Sequence, residues 1–219
     1  MNVYEQILGT AEASEKSICS DACFSRLVAD VLACSEAYLS ENVDKTDFDF
    51  IDCKKGCAHC CVVYITVLMP EAVNIADFLR REGRAEGLIP LLEERVKETR
   101  WTDEQDWSLL GKKCIFLDQD GACSIYPVRP LLCRAVTSVS AEDCHEALAA
   151  RIMGEETPVL MNIAVKKTYE QGFRAMADLL KAHGMDNAGL ELTRAVLCAL
   201  KNSGLAERLK KGEKIRPFC

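Results

Sequence analysis

Four cysteines fall within nine residues in Cys53-Lys-Lys-Gly-Cys57-Ala-His-Cys60-Cys61, and no other stretch restricts the fold of this chain so strongly. Sulphurs this close along the backbone can meet without a long loop having to close, so little entropy is lost in gathering them. A second series follows at Cys114, Cys123, Cys133 and Cys144, with eight, nine and ten residues between successive members. That even spacing suits a compact segment that keeps returning its thiols to one place. The chain thus offers eight candidate soft-metal ligands in two sets of four.

Most of the remaining sequence has helical periodicity. Residues 2 to 41 carry Ile7, Ile18, Leu27, Val28, Val31, Leu32 and Tyr38 on recurring faces and contain no proline, which predicts two helices or one bent helix. Cys19, Cys23 and Cys34 would project within an arc of about 60° on that stretch, and they read as small core residues. The acidic stretch 42 to 52 breaks the period and reads as the connector that delivers the cluster. If the cluster were helical, its four sulphurs would share an arc of about 100°. Gly56 costs a helix about 1 kcal/mol, so a loop opening into a helix is the alternative.

Val62 to Leu68 is β-branched and apolar, as in a short buried strand. Helices are expected from Pro70 to Glu82, closed by Gly83, and from Leu88 to Arg100, with Trp101 and Trp107 in a loop or short helix after them. Cys114 to Tyr126 reads as a β-hairpin around Asp120-Gly121, which would set Cys114 and Cys123 side by side. Tyr126-Pro-Val-Arg-Pro130 cannot be regular helix, and helix resumes at Leu131 with Cys133 and Arg134 on it. Pro158 to His183, Asn187 to Lys201 and Leu205 to Lys211 complete the pattern. The expected fold is mainly α: one helical domain over residues 1–219, with a small cysteine-rich hairpin or loop segment for metal at 53–144.

Composition narrows the function. An apolar fraction of 49% supplies one sizeable core. Thirty-four acidic against 27 basic side chains give a net charge of -7, which repels a phosphate backbone and argues against nucleic acid. The first residues lack the basic head and apolar run of an export signal, and the run from Cys60 to Met69 is too short to span a bilayer. A cytoplasmic protein is therefore expected, with no membrane partner. In a reducing compartment, 13 cysteines, an odd number, are not a disulfide framework, so clustered thiols are read as ligands.

Thiolates select zinc, iron held with sulfide, or cuprous copper. Two four-cysteine sets would suit two zinc ions or one or two iron-sulfur cubanes. The Cys53-x3-Cys57-x2-Cys60 spacing is similar to that of radical S-adenosylmethionine enzymes, whose βα barrel the helical pattern here does not supply. Arg129 and Arg134 sit beside Pro-constrained backbone and are candidate cofactor-binding cations, able to donate to sulphur or to an anionic ligand. Lys54, Lys55, Lys112 and Lys113 read as solvated. His59 and His145 each adjoin a candidate ligand and are alternates to it, whereas His183 stands alone at a helix end. Cys198 reads as core; Cys219 is left unassigned.

Cys53-x3-Cys57-x2-Cys60-Cys61, then Cys114, then Cys123-x2-Tyr126-x2-Arg129-Pro130-x2-Cys133-Arg134 resembles the YkgJ-type cysteine-cluster family, to which zinc or iron chelation is ascribed. The resemblance spans about residues 53 to 144. It implies metal ligation by Cys53, Cys57, Cys60, Cys61, Cys114, Cys123, Cys133 and Cys144. The family includes flagellin lysine N-methylases, so it also admits methyl transfer from S-adenosylmethionine to protein lysines.

Three functions are expected to compete: metal or iron-sulfur binding for chelation, storage or electron transfer; an enzyme, either a protein methylase or a small oxidoreductase; and a structural zinc interaction domain. Metal ions are the partner common to all three, with a protein substrate or redox partner added in the first two.

Overall fold

A computed structural model describes residues 2–15 and 23–215. The expected two N-terminal helices are α1 (Val3–Glu15) and α2 (Cys23–Asn42). Cys19 and Cys219 lie outside the described residues, as does the Cys23 side chain. Cys34 is half-buried on α2 and receives a hydrogen bond from Thr10 Oγ1 at 3.3 Å, as a packed thiol rather than a ligand.

The connector contains a single turn, α3 (Lys45–Asp49). Next come a short strand β1 (Thr66–Val67), then α4 (Met69–Arg81), α5 (Ala85–Thr99) and α6 (Glu104–Trp107). α4 opens as its sequence predicts, with Pro70 in the first turn and Glu71 reaching back to the Leu68 N–H at 2.9 Å. α5 starts three residues earlier than the period suggested.

Beyond the cysteine turn come α7 (Leu131–Ala135), α8 (Ala141–Ile152), α9 (Ile163–Ala182), β2 (Leu190–Glu191), α10 (Leu192–Lys201) and α11 (Leu205–Lys210). Three of these starts are fixed by side-chain caps. Ser140, Asn162 and Glu191 accept from the N–H groups of Asp143, Val165, and Thr193 with Arg194. The cap at Asn162 explains why α9 begins there and not at Pro158. β1 and β2 pair antiparallel, Thr66 opposite Glu191 and Val67 opposite Leu190. The strand expected over Val62–Leu68 thus shortens to two residues, because only there does a partner edge meet it.

The protein is mainly α. α1 packs on α2 and α9, α7 on α9, and α10 on α4 and α5, around a core that includes Phe24, Leu27, Ile75, Leu79, Leu131, Met176 and Leu209. Cys198 faces that core on α10 at 4% exposure, as expected, but it is disulfide-bonded. That departs from the expectation of reduced thiols throughout and involves none of the eight clustered cysteines, all of which are free. Among the described residues, no helix is long and apolar enough to cross a membrane.

Candidate metal centre

The cysteine stretch is neither the helix nor the loop-to-helix considered from its sequence. It runs as consecutive turns, closed by hydrogen bonds from Cys57 N–H to Lys54 O (3.0 Å), Cys61 N–H to Ala58 O (3.0 Å) and Val63 N–H to Cys60 O (3.2 Å). Gly56 has φ +88°, a left-handed value that other residues reach only at a cost. Gly121, at φ +75°, tops the downstream turn. A Cβ on Gly121 would stand 3.2 Å from Gly56 O, so the two loops touch through bare backbone. Glycine at both positions is therefore what lets the first thiol loop dock on the second.

That downstream turn is held by Asp118, whose carboxylate accepts from the N–H groups of Asp120 (3.0 Å) and Ala122 (2.8 Å). The hairpin expected over Cys114–Tyr126 reduces to one antiparallel bridge, Leu117 to Cys123, because Asp118 draws the chain into a tight turn at once. Cys114 is fixed independently by its N–H on Cys61 O at 2.6 Å. Cys133 rides on α7, whose first N–H, from Leu131, donates to Glu71 Oε1 at 2.9 Å. Cys144 rides on the first turns of α8. Asp52 Oδ2 accepts from Ala141 N–H at 3.0 Å there, and Ser138 N–H donates to Cys53 Sγ at 3.3 Å.

All eight thiols thereby come to one region, but in a different grouping from their order in the chain. A cavity of about 610 Å³ is lined by Cys53, Cys57, Cys60 and Cys144, together with His59. The adjoining cavity, about 680 Å³, takes in Cys61, Cys114, Cys123 and Cys133 with Arg129, and shares Cys53, Cys57 and Cys60 with the first. Cys144 thus crosses to the upstream thiols and Cys61 joins the downstream ones. The two halves meet where the neighbouring Cys60 and Cys61 side chains hydrogen-bond to each other. Among the described residues, no three His, Cys, Asp or Glu side chains stand close enough to enclose one ion as placed.

Four of the thiols, Cys53, Cys60, Cys114 and Cys133, are held in the protonated form. Burial pushes the Cys114 thiol up to about 11, and burial also raises Cys133 and Cys53. Cys60 is raised first by its hydrogen bond with Cys61 and then by burial. Arg129 lies among Cys133, Cys60, Cys123 and Cys61, and charge on those sulphurs, once they ionise, offsets the burial of its guanidinium and strengthens its hold on its proton. Its Nη2 donates to Cys133 O at 2.6 Å, which fixes the guanidinium among the sulphurs.

Arg134, the other candidate cofactor-binding cation, is used differently. Its donors go to Arg129 O, Tyr126 O and Glu36, and its guanidinium lies over the Tyr126 ring, so it braces the turn before α7. His59 and His145 come together, ring centroids 5.7 Å apart in an edge-to-face pair. Lys54 is exposed and paired with Asp52.

Sequence reasoning missed Glu71. It is a buried carboxylate, 2% exposed, accepting from Leu68 and Leu131 N–H, and burial pushes it up to about 7. Its place in a helix start was legible; its second bond, across 60 residues to α7, had no local signal. Ser138 and Asp52, which tie Cys53 to the start of α8, were likewise invisible along the chain.

The residues present fit a soft cation. The donors are thiols, one receives a backbone N–H, and a half-buried guanidinium offsets the charge they would carry once deprotonated. The model of the CxxCxxCC family, described as "Putative zinc- or iron-chelating domain", matches residues 52–151. This chain spaces its first two cysteines one residue wider than that family name spells out. No curated protein and no solved structure matches the chain. The matched segment, 52–151, takes in all eight clustered cysteines and is similar to the CxxCxxCC cysteine-cluster family.

Proposed function

We propose that the protein binds zinc, or iron as an iron-sulfur cluster, through thiolates of Cys53, Cys57, Cys60, Cys61, Cys114, Cys123, Cys133 and Cys144, and serves in chelation, storage or electron transfer. The observation that carries this reading is the convergence of eight free thiols, from two loops and two helices, on two adjoining cavities, one of them also lined by the half-buried Arg129. Thiolates are the form that binds, so each coordinating cysteine gives up its proton to solvent as the ion enters. Arg129 stays charged and compensates part of the added negative charge.

Exposure favours ion handling over a purely structural staple. Cys53 is exposed and the others are half-buried, so an ion has a way in and out. A reducing, cytoplasmic setting would keep these thiols available. The test is metal and sulfide analysis of protein purified without oxygen. Brown protein with stoichiometric iron and sulfide supports the cluster form; colourless protein with bound zinc supports the zinc form. Protein free of both metals after loading with either would refute the proposal.

A second reading, a methylase-like enzyme using S-adenosylmethionine, draws on the size of the cavities. Both fall within the range that accepts an organic cofactor. Calorimetry of metal-loaded protein with S-adenosylmethionine tests it, and no heat of binding would remove it.

A further inference from the structure

The two cavities differ in the charge and donor chemistry around their thiols. The inner group, Cys61, Cys114, Cys123 and Cys133, lines one cavity with Arg129, which lies beside Cys61, Cys123 and Cys133. The outer group, Cys53, Cys57, Cys60 and Cys144, has only Cys60 among the sulphurs around that guanidinium. Its cavity wall carries Glu104, Glu155 and Glu156 against a single Arg151, whose Nη2 donates to Gln105 O. Lys54 is turned to Asp52 at the surface.

Charge counting then separates the two. Four thiolates around a divalent ion leave a net charge of about −2, tolerable beside a half-buried guanidinium and unfavourable beside three carboxylates. Replacing one thiolate by a neutral imidazole leaves about −1. The outer group has two imidazoles within reach: His59 lies on the cavity wall between Cys57 and Cys60, and His145 follows Cys144 and packs edge-to-face on His59. His145 is well exposed, with Glu142 Oε1 3.8 Å from its Nδ1, so its ring is free to swing.

We infer that the protein holds two inequivalent metal ions, an inner one on the four sulphurs of Cys61, Cys114, Cys123 and Cys133 beside Arg129, and an outer one on three of the sulphurs of Cys53, Cys57, Cys60 and Cys144 with the imidazole of His59 or His145 as the fourth donor. This rests on the proposed thiolate chelation and deepens it. The inner site suits the softest ions. The outer site, partly nitrogen and open to solvent, suits zinc or cobalt and exchanges its ion more readily. Because Cys60 and Cys61 are adjacent, filling one site positions the backbone of the other.

Cobalt(II) titration of the full chain, followed by sulphur-to-cobalt charge-transfer absorption, reads both sites. Two equivalents are expected, the second adding less charge-transfer intensity than the first because fewer sulphurs bind it. Cys123→Ser should remove the stronger band and spare the weaker one. A His59→Ala/His145→Ala double variant should weaken the second equivalent at least tenfold and leave the first unchanged. The imidazole 15N resonances of the native protein should move only when zinc fills the second site. Helical circular dichroism checks that each variant folds, and the 15N shifts need no variant.

A single equivalent lost alike in Cys123→Ser and Cys144→Ser would overturn the division into two sites while leaving chelation standing. Unmoved 15N resonances with two zinc ions bound would overturn the nitrogen ligand. No cobalt or zinc uptake at all would sink both this inference and the chelation it rests on.

Discussion

Replacing Glu71 by Gln tests how the cysteine helix is anchored, and its size follows from the carboxylate's surroundings. Glu71 is fully enclosed and joins the start of α4 to the start of α7 through the N–H groups of Leu68 and Leu131, each at 2.9 Å. Burial is the largest influence on its acidity; the two N–H donors oppose it, and the result is a rise from 4.5 to about 7. A folded value above the unfolded one means that stability from this group is fully present below about 4.5 and is lost as pH rises through about 7. At about 1.36 kcal/mol per pH unit, that is on the order of 3 kcal/mol between acid and mildly alkaline solution. Glutamine keeps the shape but has no charge to lose, and its NH2 faces one of the two N–H donors, costing about 1–3 kcal/mol at every pH.

The wild type should therefore exceed Glu71→Gln by about 1–3 kcal/mol near pH 5, and that margin should disappear or reverse near pH 8.5. Urea unfolding of both proteins in parallel, with chelator present so that metal release does not enter the difference, measures it. Stability curves that stay parallel from pH 5 to 8.5 would show that Glu71 is not a buried carboxylate with a raised pKa. Because Leu131 precedes Cys133 by two residues, the same variant should also lower zinc affinity.

Three further outcomes follow from the site. Gly121→Ala places a side chain at φ +75° with its Cβ 3.2 Å from Gly56 O, so it should cost about 1–2 kcal/mol and weaken metal binding, measured by thermal melting and zinc competition; an unchanged melting temperature would mean that the loops need not touch. Chelator treatment of loaded protein should lower the melting temperature, and Cys60→Ser should lose metal whereas Cys34→Ser, on α2 away from the cavities, should not. Zinc binding should release protons, and affinity should rise with pH, because Cys114 is held up to about 11 and Cys53, Cys60 and Cys133 are also raised; calorimetry in buffers of different ionisation enthalpy counts those protons, and a buffer-independent heat would contradict it.

Much of this protein was legible in one dimension. The helical class follows from apolar spacing, which needs no partner to be read; α2, α4 and α7 lie where their sequence put them, whereas α9 and α10 each start five residues later than the expected Pro158 and Asn187. α8 escaped notice because none of its residues is buried and its apolar face is weak. The cluster itself was visible because thiols at short spacing are rare and chemically distinctive.

What the tertiary structure alone decided is which sulphurs are neighbours. Spacing suggested two sets of four in chain order; folding brings Cys144 to the cavity of Cys53, Cys57 and Cys60 through α8 docking on Asp52, and sets Cys61 beside Cys114, whose N–H reaches Cys61 O. It also made Arg129 the counter-charge among the sulphurs and tied up Arg134 on Tyr126 and Glu36 at the edge of the same cavity. Local sequence encodes which groups are available and what each residue's backbone prefers. Distances between residues 60 positions apart depend on how whole helices pack, and that information is spread across the core.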